Sequence, residues 1–196
     1  MSWIHSVAPE QAPAAVGEVY EQIRSRSSAA RVAGYWQALG LDPQGLAAAW
    51  AAHRALCDRA ARPAAEGGLG EAQHEMIAVV VSATNGCGYC VAHHGPRLAR
   101  ALGDESLAHA VAVDYREANL AARDRVLLDY AVALTCEPSE RTRDDVERLR
   151  EYGFDDAAIL LATQVTAHFN AVNRIASALG VELEPGVEAW AFGVPA

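Results

Sequence analysis

A chain of 196 residues is long enough to bury a core of its own and predicts a single domain. Hydrophobic residues make up 52% of the chain and charged residues 21%, a balance that excludes a disordered protein. The formal net charge of −9 argues against nucleic acid or an anionic membrane as partner, because binding phosphates requires clustered cations. Helical periodicity runs through the sequence and strand-like alternation is almost absent, so we predict an all-α bundle of about seven or eight helices.

The individual helices are predicted from apolar periodicity and from the residues that start or stop helices. Asp42 followed by Pro43 is a start signal, whereas Gly103 and Gly180 each end a helix. The most apolar stretch could also be a buried strand, but the Glu-Ala-Gln-His-Glu that opens it favours a helix. In chain order the predicted helices cover 15–26, 43–62, 71–83, 87–102, 104–113, 119–134, a segment from Ser139 or Thr142 to Gly153, and a segment from Asp155 or Asp156 to Leu179.

The chain is predicted to form one domain over 1–196, in which 1–65 is a helical N-terminal extension and 66–180 is the core. Residues 181–196 form a tail whose Trp190 and Phe192 are expected to pack onto the body or onto a neighbouring subunit. No leader sequence is recognised, and no apolar run approaches the roughly 18 residues of a membrane helix. We therefore expect a cytoplasmic protein without a membrane partner.

Chemistry-bearing residues concentrate around a Cys-x-x-Cys pair, Cys87 and Cys90. In a cytoplasmic protein such a pair indicates redox chemistry or metal binding. Cys87 follows a turn at 84–86 and starts a helix, where the helix dipole lowers the pKa of a thiol. Cys90 lies three residues further on, so both sulfur atoms share a face and can close a disulfide.

A histidine and a carboxylate are expected beside the thiols. His94 lies one turn after Cys90 and can hydrogen-bond a thiol directly or through a water molecule. If the helices on either side of the turn at 84–86 form an antiparallel hairpin, Glu75 returns to the level of Cys90 and His94. The sequence therefore predicts a site where a carboxylate, an imidazole and two thiols meet, suited to moving a proton from a reactive thiol.

The chain resembles the alkylhydroperoxidase D (AhpD)-like branch of the carboxymuconolactone decarboxylase superfamily, and most closely its peroxidase-related enzymes. Glu75, Cys87, Cys90 and His94 match the Glu-x11-Cys-x2-Cys-x3-His motif of that family in type and spacing. The resemblance extends over about 40–182 and includes the stretches 81–87, 91–95, 128–131 and 169–174.

This resemblance implies an oligomeric all-helical bundle that reduces hydroperoxides. Cys90 would attack the peroxide, and Cys87 would resolve the resulting sulfenic acid as a disulfide. Glu75 and His94 would activate Cys90 by passing its proton away. An external dithiol or a lipoyl-type partner would then reduce the disulfide, and no cofactor or metal is expected.

Three further residues are supporting candidates. Tyr89 stands where the best-studied relatives have a histidine before the second cysteine, and its hydroxyl can donate a hydrogen bond. His93 points about 100° away from His94 on a helix. His168 could approach the site across the bundle. The remaining side chains of interest are given structural roles: His74 is expected to point away from the site, and Cys57 and Cys136 to be core residues.

Three other functions stay open on the sequence. The thiol pair could serve a thiol–disulfide reductase that acts on a protein or a lipoyl-type partner. Glu75 and His94 could instead act as acid and base in a non-redox, decarboxylase-like enzyme. The same four motif residues could also hold a structural zinc ion in a binding module.

Overall fold

Nine α-helices account for most of the residues that the structure, a computed structural model, describes, namely 2–26, 31–60 and 67–193. Two short 3-10 turns, at Pro9–Gln11 and Pro138–Glu140, complete the regular structure, and these ranges contain no strand. The all-helical prediction is therefore confirmed. The helices are α1 (Ala14–Arg26), α2 (Gly34–Leu39), α3 (Pro43–Ala60), α4 (Glu71–Thr84), α5 (Gly88–Leu102), α6 (Glu105–Asp114), α7 (Ala122–Cys136), α8 (Arg143–Glu151) and α9 (Asp156–Ala178).

Local start and stop residues define most helix boundaries. Asp42, Asp104 and Asp155 each accept a hydrogen bond from the backbone amide three residues later, at 3.0, 2.9 and 2.7 Å. Such N-caps satisfy an amide that the helix itself leaves unpaired and stabilise it by about 1 kcal/mol. At the other ends, Gly103 and Gly180 adopt left-handed backbone conformations with φ of 66° and 57°, as the sequence predicts.

The structure adds one helix, corrects the start of a second and decides between the two predicted starts of a third. Helix α2 was not predicted, because six residues are too few to show a periodic apolar face. Helix α7 begins at Ala122 and not at 119, since the guanidinium of Arg125 binds the carbonyls of Tyr115 and Ala118 and stabilises 115–121 as a loop. Of the two starts offered for α8, Thr142 is right and forms a capping box, whereas Ser139 lies in a 3-10 turn.

Helix α4 lies at the centre of the bundle. It packs against α5, α6, α7 and α9 at once, so that Ile77, Val79 and Val81 are completely buried. A helix surrounded on every side needs no polar face, which explains why the sequence of α4 lacks a clear helical period. The helical interpretation of this stretch is right, and the alternative of a buried strand is wrong.

The N-terminal helices form a second, smaller core. Helices α1 and α3 pack together around Val16, Tyr20, Leu46 and Trp50, and α3 also contacts α4 and α9. The predicted division at residue 65 lies outside the residues that the structure describes. Within the described ranges, no helix is both long enough and apolar enough to cross a membrane.

The C-terminal tail runs back over α5. Trp190 stacks on His109 with ring centroids 3.9 Å apart and lies against Gly95, while Phe192 lies against Gly88. The amide of Gly193 donates to the carbonyl of Ala112 at 3.1 Å. The expected packing of the tail aromatics onto the body is therefore observed.

Replacing Gly95 by alanine is expected to lower the free energy of unfolding by about 1–3 kcal/mol, as for other overpacked sites. A Cβ atom at this position would overlap the ring of Trp190 and displace the tail. Urea denaturation followed by circular dichroism measures the effect. Gly17→Ala is the matched control: among the described residues, no atom beyond its chain neighbours and the backbone of its own helix lies within 4 Å of the added Cβ, so it should stabilise the protein by up to about 1 kcal/mol. Equal effects of both variants would contradict the observed packing of the tail.

Candidate active site

The two motif cysteines meet at the beginning of α5. Cys87 occupies the N-cap position, Cys90 lies in the first turn, and their sulfur atoms are 2.7 Å apart. Both residues are only 3% exposed and pack beside Tyr35, Ala176 and Val181. Both thiols are free in this structure, and closing a disulfide between them requires only a small movement of the side chains.

The two thiols differ in acidity. The hydrogen bond from Cys90, with smaller contributions from Ser177 and Asn173, lowers the pKa of Cys87 to about 7. The same hydrogen bond and burial raise the pKa of Cys90 well above its usual range. Since the two groups lie in contact, loss of one proton makes loss of the second harder. The first proton is therefore lost from Cys87, whose negative charge is stabilised at the positive end of the helix dipole.

A network of hydrogen-bonded polar side chains on α4 and α9 interacts with the thiols. The side-chain amide of Asn173 donates to Ser82 at 2.9 Å and accepts from Asn85 at 3.0 Å, which fixes its orientation. Asn173 and Ser82 also lower the otherwise raised pKa of Cys90. Sequence reasoning missed both as functional residues, although buried polar side chains on the apolar helices α4 and α9 are a usable signal.

Glu75 lies between two histidines on α4 and α5. Its carboxylate accepts a hydrogen bond from Nδ1 of His94 at 2.8 Å and lies 3.5 Å from Nδ1 of His74. The three residues are 6%, 8% and 2% exposed, in that order. The predicted return of Glu75 to the level of His94 is therefore observed, but the position of His74 was predicted wrongly: it does not point away.

Burial and hydrogen bonding determine which of Glu75, His74 and His94 carry a charge. Burial alone would raise the pKa of Glu75, but the charge of His94 and the hydrogen bonds from both histidines outweigh it and hold that pKa well below its usual range. Burial would lower the pKa of His74, yet its hydrogen bonds to Cys57 and Glu75 raise it to about 9. Burial lowers the pKa of His94 to about 4. At neutral pH we therefore assign a Glu75 carboxylate, a His74 imidazolium and a neutral His94.

The predicted site has two halves, the thiol pair and the Glu75–His94 pair. Both lie on the hairpin of α4 and α5, but they are not joined directly. His94 lies one turn after Cys90 on α5 and meets the edge of Phe169, with ring centroids 4.7 Å apart. In the described parts of the chain, no hydrogen bond links His94 to either thiol. Because Nδ1 of His94 binds Glu75, its Nε2 atom is the one that can accept a proton.

The supporting candidates fall into two places. Tyr89 donates to Glu184 of the tail at 2.8 Å and accepts from the amide of Tyr35 at 3.1 Å, while His93 binds the second carboxylate oxygen of Glu184 at 2.9 Å. Burial would raise the pKa of Glu184, but these hydrogen bonds and one from the amide of Gly34 lower it to about 2. Tyr89 and His93 thus attach the tail to α5, and neither contacts the Glu75 carboxylate.

His168 approaches a different partner. Its Nε2 atom lies 3.2 Å from Nδ1 of His53 on α3, and Nε2 of His53 lies 3.6 Å from the sulfur of Cys57. The prediction that Cys57 and Cys136 are core residues is wrong: Cys57 is half-buried beside histidines, and Cys136 is exposed. Sequence reasoning could not place this group, because its members come from two helices, α3 and α9, that are far apart in the sequence.

A cavity of about 800 Å³ is lined by Glu75, and neither Cys87 nor Cys90 belongs to its lining. Helices α3, α4 and α5 and the tail form its walls, which include His53, Cys57, His74 and Arg97. Among the described residues, no three His, Cys, Asp or Glu side chains are arranged to hold a metal ion.

An all-helical bundle with paired thiols at one helix start and a Glu–His pair on the same hairpin defines a class of small thiol-containing proteins. The family model for the carboxymuconolactone decarboxylase family matches residues 44–114. The fold is similar to that of an uncharacterized peroxidase-related protein from Silicibacter sp. TM1040, with 31% identity and a TM-score of 0.78 over 90% of this chain and 88% of that one. The chain belongs to the carboxymuconolactone decarboxylase family, among its AhpD-like, peroxidase-related proteins.

Two further solved structures share the fold. The alkylhydroperoxidase AhpD core of an uncharacterized peroxidase-related protein from Ralstonia eutropha JMP134 is 29% identical, with a TM-score of 0.82 over 94% of this chain and 93% of that one. The debrominase Bmp8 in complex with 2,3,4-tribromopyrrole shares the fold, at 17% identity and a TM-score of 0.73 over 92% of this chain and 90% of that one. The sequence has no significant match among curated proteins.

Proposed function

We propose that this protein is a thiol-dependent hydroperoxide reductase in which Cys87 and Cys90 form the redox pair. The observation that carries the proposal is the contact of the two sulfur atoms, 2.7 Å apart, at the start of α5. The similarity to peroxidase-related proteins supports it. An external dithiol or a lipoyl-type partner is the proposed reductant, and we propose a homo-oligomer as the assembled form.

In the first step Cys90 attacks one oxygen of the hydroperoxide. The oxygen–oxygen bond breaks, Cys90 is oxidised to a sulfenic acid, and the alcohol leaves after taking up a proton. Because Cys90 holds the shared proton of the pair at rest, this step requires a proton acceptor. The Cys87 sulfur, 2.7 Å away, is the nearest acceptor, and Nε2 of His94, oriented by Glu75 and one turn away on the same helix, has the role of passing the proton on to the departing alcohol.

In the second step Cys87 attacks the sulfur of the Cys90 sulfenic acid. A disulfide forms and the hydroxyl group leaves as water after protonation. A thiolate is the species that attacks, and the helix dipole at the start of α5 favours the thiolate of Cys87. The external dithiol then reduces the disulfide by two successive thiol exchanges and restores both thiols.

The test is a thiol count before and after one equivalent of tert-butyl hydroperoxide. The wild-type protein is expected to lose two thiols, which dithiothreitol restores. Cys87→Ser should stop at a Cys90 sulfenic acid that dimedone traps, without turnover, whereas Cys90→Ser should consume no peroxide. Retained peroxide consumption in Cys90→Ser would show that the two roles are reversed, and an unchanged thiol count in the wild type would refute the peroxidase function.

A thiol–disulfide reductase is the second candidate. Tyr89 binds Glu184 of the tail instead of extending the proton relay, which favours a pair that exchanges disulfides and reduces peroxide slowly. Turnover with a lipoyl-type disulfide that greatly exceeds turnover with peroxide would favour this candidate. A peroxide rate far above every disulfide rate would exclude it.

A further inference from the structure

The thiol pair is covered by two segments, the short helix α2 and the start of the C-terminal tail. Tyr35 and Ala38 of α2 and Val181 of the tail pack with Cys87 and Cys90 in one buried cluster. Each thiol residue is only 3% exposed under this cover. A molecule that reacts with either thiol must therefore displace part of the cover.

Glu184 of the tail connects the cover to α5. Its Oε1 atom accepts a hydrogen bond from the amide of Gly34 and another, at 2.8 Å, from the hydroxyl of Tyr89. Its Oε2 atom lies 2.9 Å from Nε2 of His93. The hydroxyl of Tyr89 in turn accepts from the amide of Tyr35 at 3.1 Å. One carboxylate thus holds together the tail, the first turn of α2 and α5.

Helix α2 depends on these contacts. Six residues are too few for a helix that is stable by itself. Its N-cap residue, Ala33, provides no side-chain cap, and the first two amides of the helix bind Glu184 and Tyr89 instead. An amide that loses its partner in a partly buried position destabilises the segment that carries it. Loss of the Glu184 carboxylate should therefore loosen α2 where it covers the thiols.

Glu184 also lies between the thiol pair and the cavity of about 800 Å³. Of its partners, His93 lines that cavity, whereas Tyr89 packs beside the thiols. Beyond Glu184 the tail continues into the cavity wall at Gly186 and Val187. Cavities of roughly 300–1,000 Å³ hold organic molecules of drug size. A molecule of that size in the cavity is separated from the thiols by the contacts of Glu184.

We propose that Glu184 is the latch of a gate between the cavity and the thiol pair, formed by α2 and residues 181–184. While Glu184 holds Gly34, Tyr89 and His93, the gate is closed and only molecules about as small as hydrogen peroxide reach the thiols. Release of Glu184 admits larger organic molecules from the cavity. This role rests on the proposed function, since it determines the size of the substrate with which the thiol pair reacts.

Labelling of the thiol pair with maleimides of two sizes tests the gate. In a Cys57→Ser/Cys136→Ser background, only Cys87 and Cys90 remain to react. Adding Glu184→Ala should raise the rate with fluorescein-5-maleimide, relative to the rate with N-ethylmaleimide, about tenfold, as expected for the loss of hydrogen bonds to a charged group. The ratio of rates cancels any change in thiol acidity, because such a change affects both reagents.

Two further variants separate the latch from a general loosening of the tail. Glu188→Ala, at an exposed position of the same tail, is the matched control and should leave the ratio unchanged. Tyr89→Phe retains the ring but removes the hydroxyl that binds Glu184 and the amide of Tyr35, so it should raise the ratio by a smaller factor. Circular dichroism of each variant verifies that the helices are retained.

A second measurement compares two hydroperoxides in the protein with all four cysteines. Turnover of cumene hydroperoxide, relative to that of hydrogen peroxide, should rise several-fold in Glu184→Ala. A raised labelling ratio without peroxide turnover in any variant would support the gate and refute the peroxidase function. An unchanged labelling ratio in both Glu184→Ala and Tyr89→Phe, or an unchanged preference between hydroperoxides that are both turned over, would overturn the gate.

Discussion

Glu75→Gln is expected to lower the free energy of unfolding by about 3–5 kcal/mol at pH 7, the cost of removing one partner from a buried ion pair. The glutamine retains the size of the side chain but leaves the imidazolium of His74 without its counter-charge in a site that is 2% exposed. It also removes the carboxylate that orients His94. Urea denaturation, with the wild type measured in parallel, gives the difference.

A double-mutant cycle separates the lost pair from a general disturbance of α4. If the unpaired charge causes the loss, adding His74→Gln to Glu75→Gln should recover about 2 kcal/mol of it. Glu71→Gln, on the exposed surface of the same helix, is the control and should change stability by less than about 0.5 kcal/mol. A loss below about 1 kcal/mol in Glu75→Gln would mean that Glu75 and His74 are not an ionised pair.

Helix positions and the Glu75–His94 contact could be predicted because local features determine them. N-cap aspartates, terminal glycines and apolar periodicity act within a few residues, and most predicted helices end close to the observed ones. Glu75 and His94 meet because one short turn joins their two helices into a hairpin. With the turn at 84–86 recognised, equal distances along two antiparallel helices bring these side chains level.

The remaining contacts of the site could not be predicted, because they join segments that are distant in the sequence. Periodicity shows which face of a helix is buried but not which residues lie opposite. The contact of His53 with His168 spans α3 and α9, and the contact of Tyr89 and His93 with Glu184 spans α5 and the tail. His74 was misplaced for the same reason, since the Phe169 ring that it packs against comes from α9.

These long-range contacts change the view of the site. The motif residues alone suggest one centre at which the relay meets the thiol pair. In the structure the Glu75 carboxylate has a histidine on each side: His94 lies one turn after Cys90 on α5, and His74 lines the cavity.

Acidification should destabilise the protein strongly between pH 6.5 and pH 4.5. Burial lowers the pKa of His94 and of His168 to about 4. The pKa of His53 is lowered well below its usual range, mainly by burial and secondly by the charge of His168. The unfolded chain therefore binds more protons than the folded one below pH 6.5, so folding stability is present in full above that pH and is lost as the pH falls toward 4. His74, with its raised pKa, is protonated in both states throughout this range and does not offset the loss.

Each of these histidines contributes about 1.4 kcal/mol for every pH unit between its two pKa values, so the free energy of unfolding should fall by more than about 3 kcal/mol over the range. Urea denaturation at intervals of half a pH unit measures the slope. His53 on α3 and His168 on α9 contact each other. The double variant His53→Leu/His168→Leu should therefore reduce the slope by the contribution of these two histidines. His5→Gln, at an exposed position, should leave it unchanged. An unaltered slope in the double variant would mean that these two imidazoles are not held neutral in the folded protein.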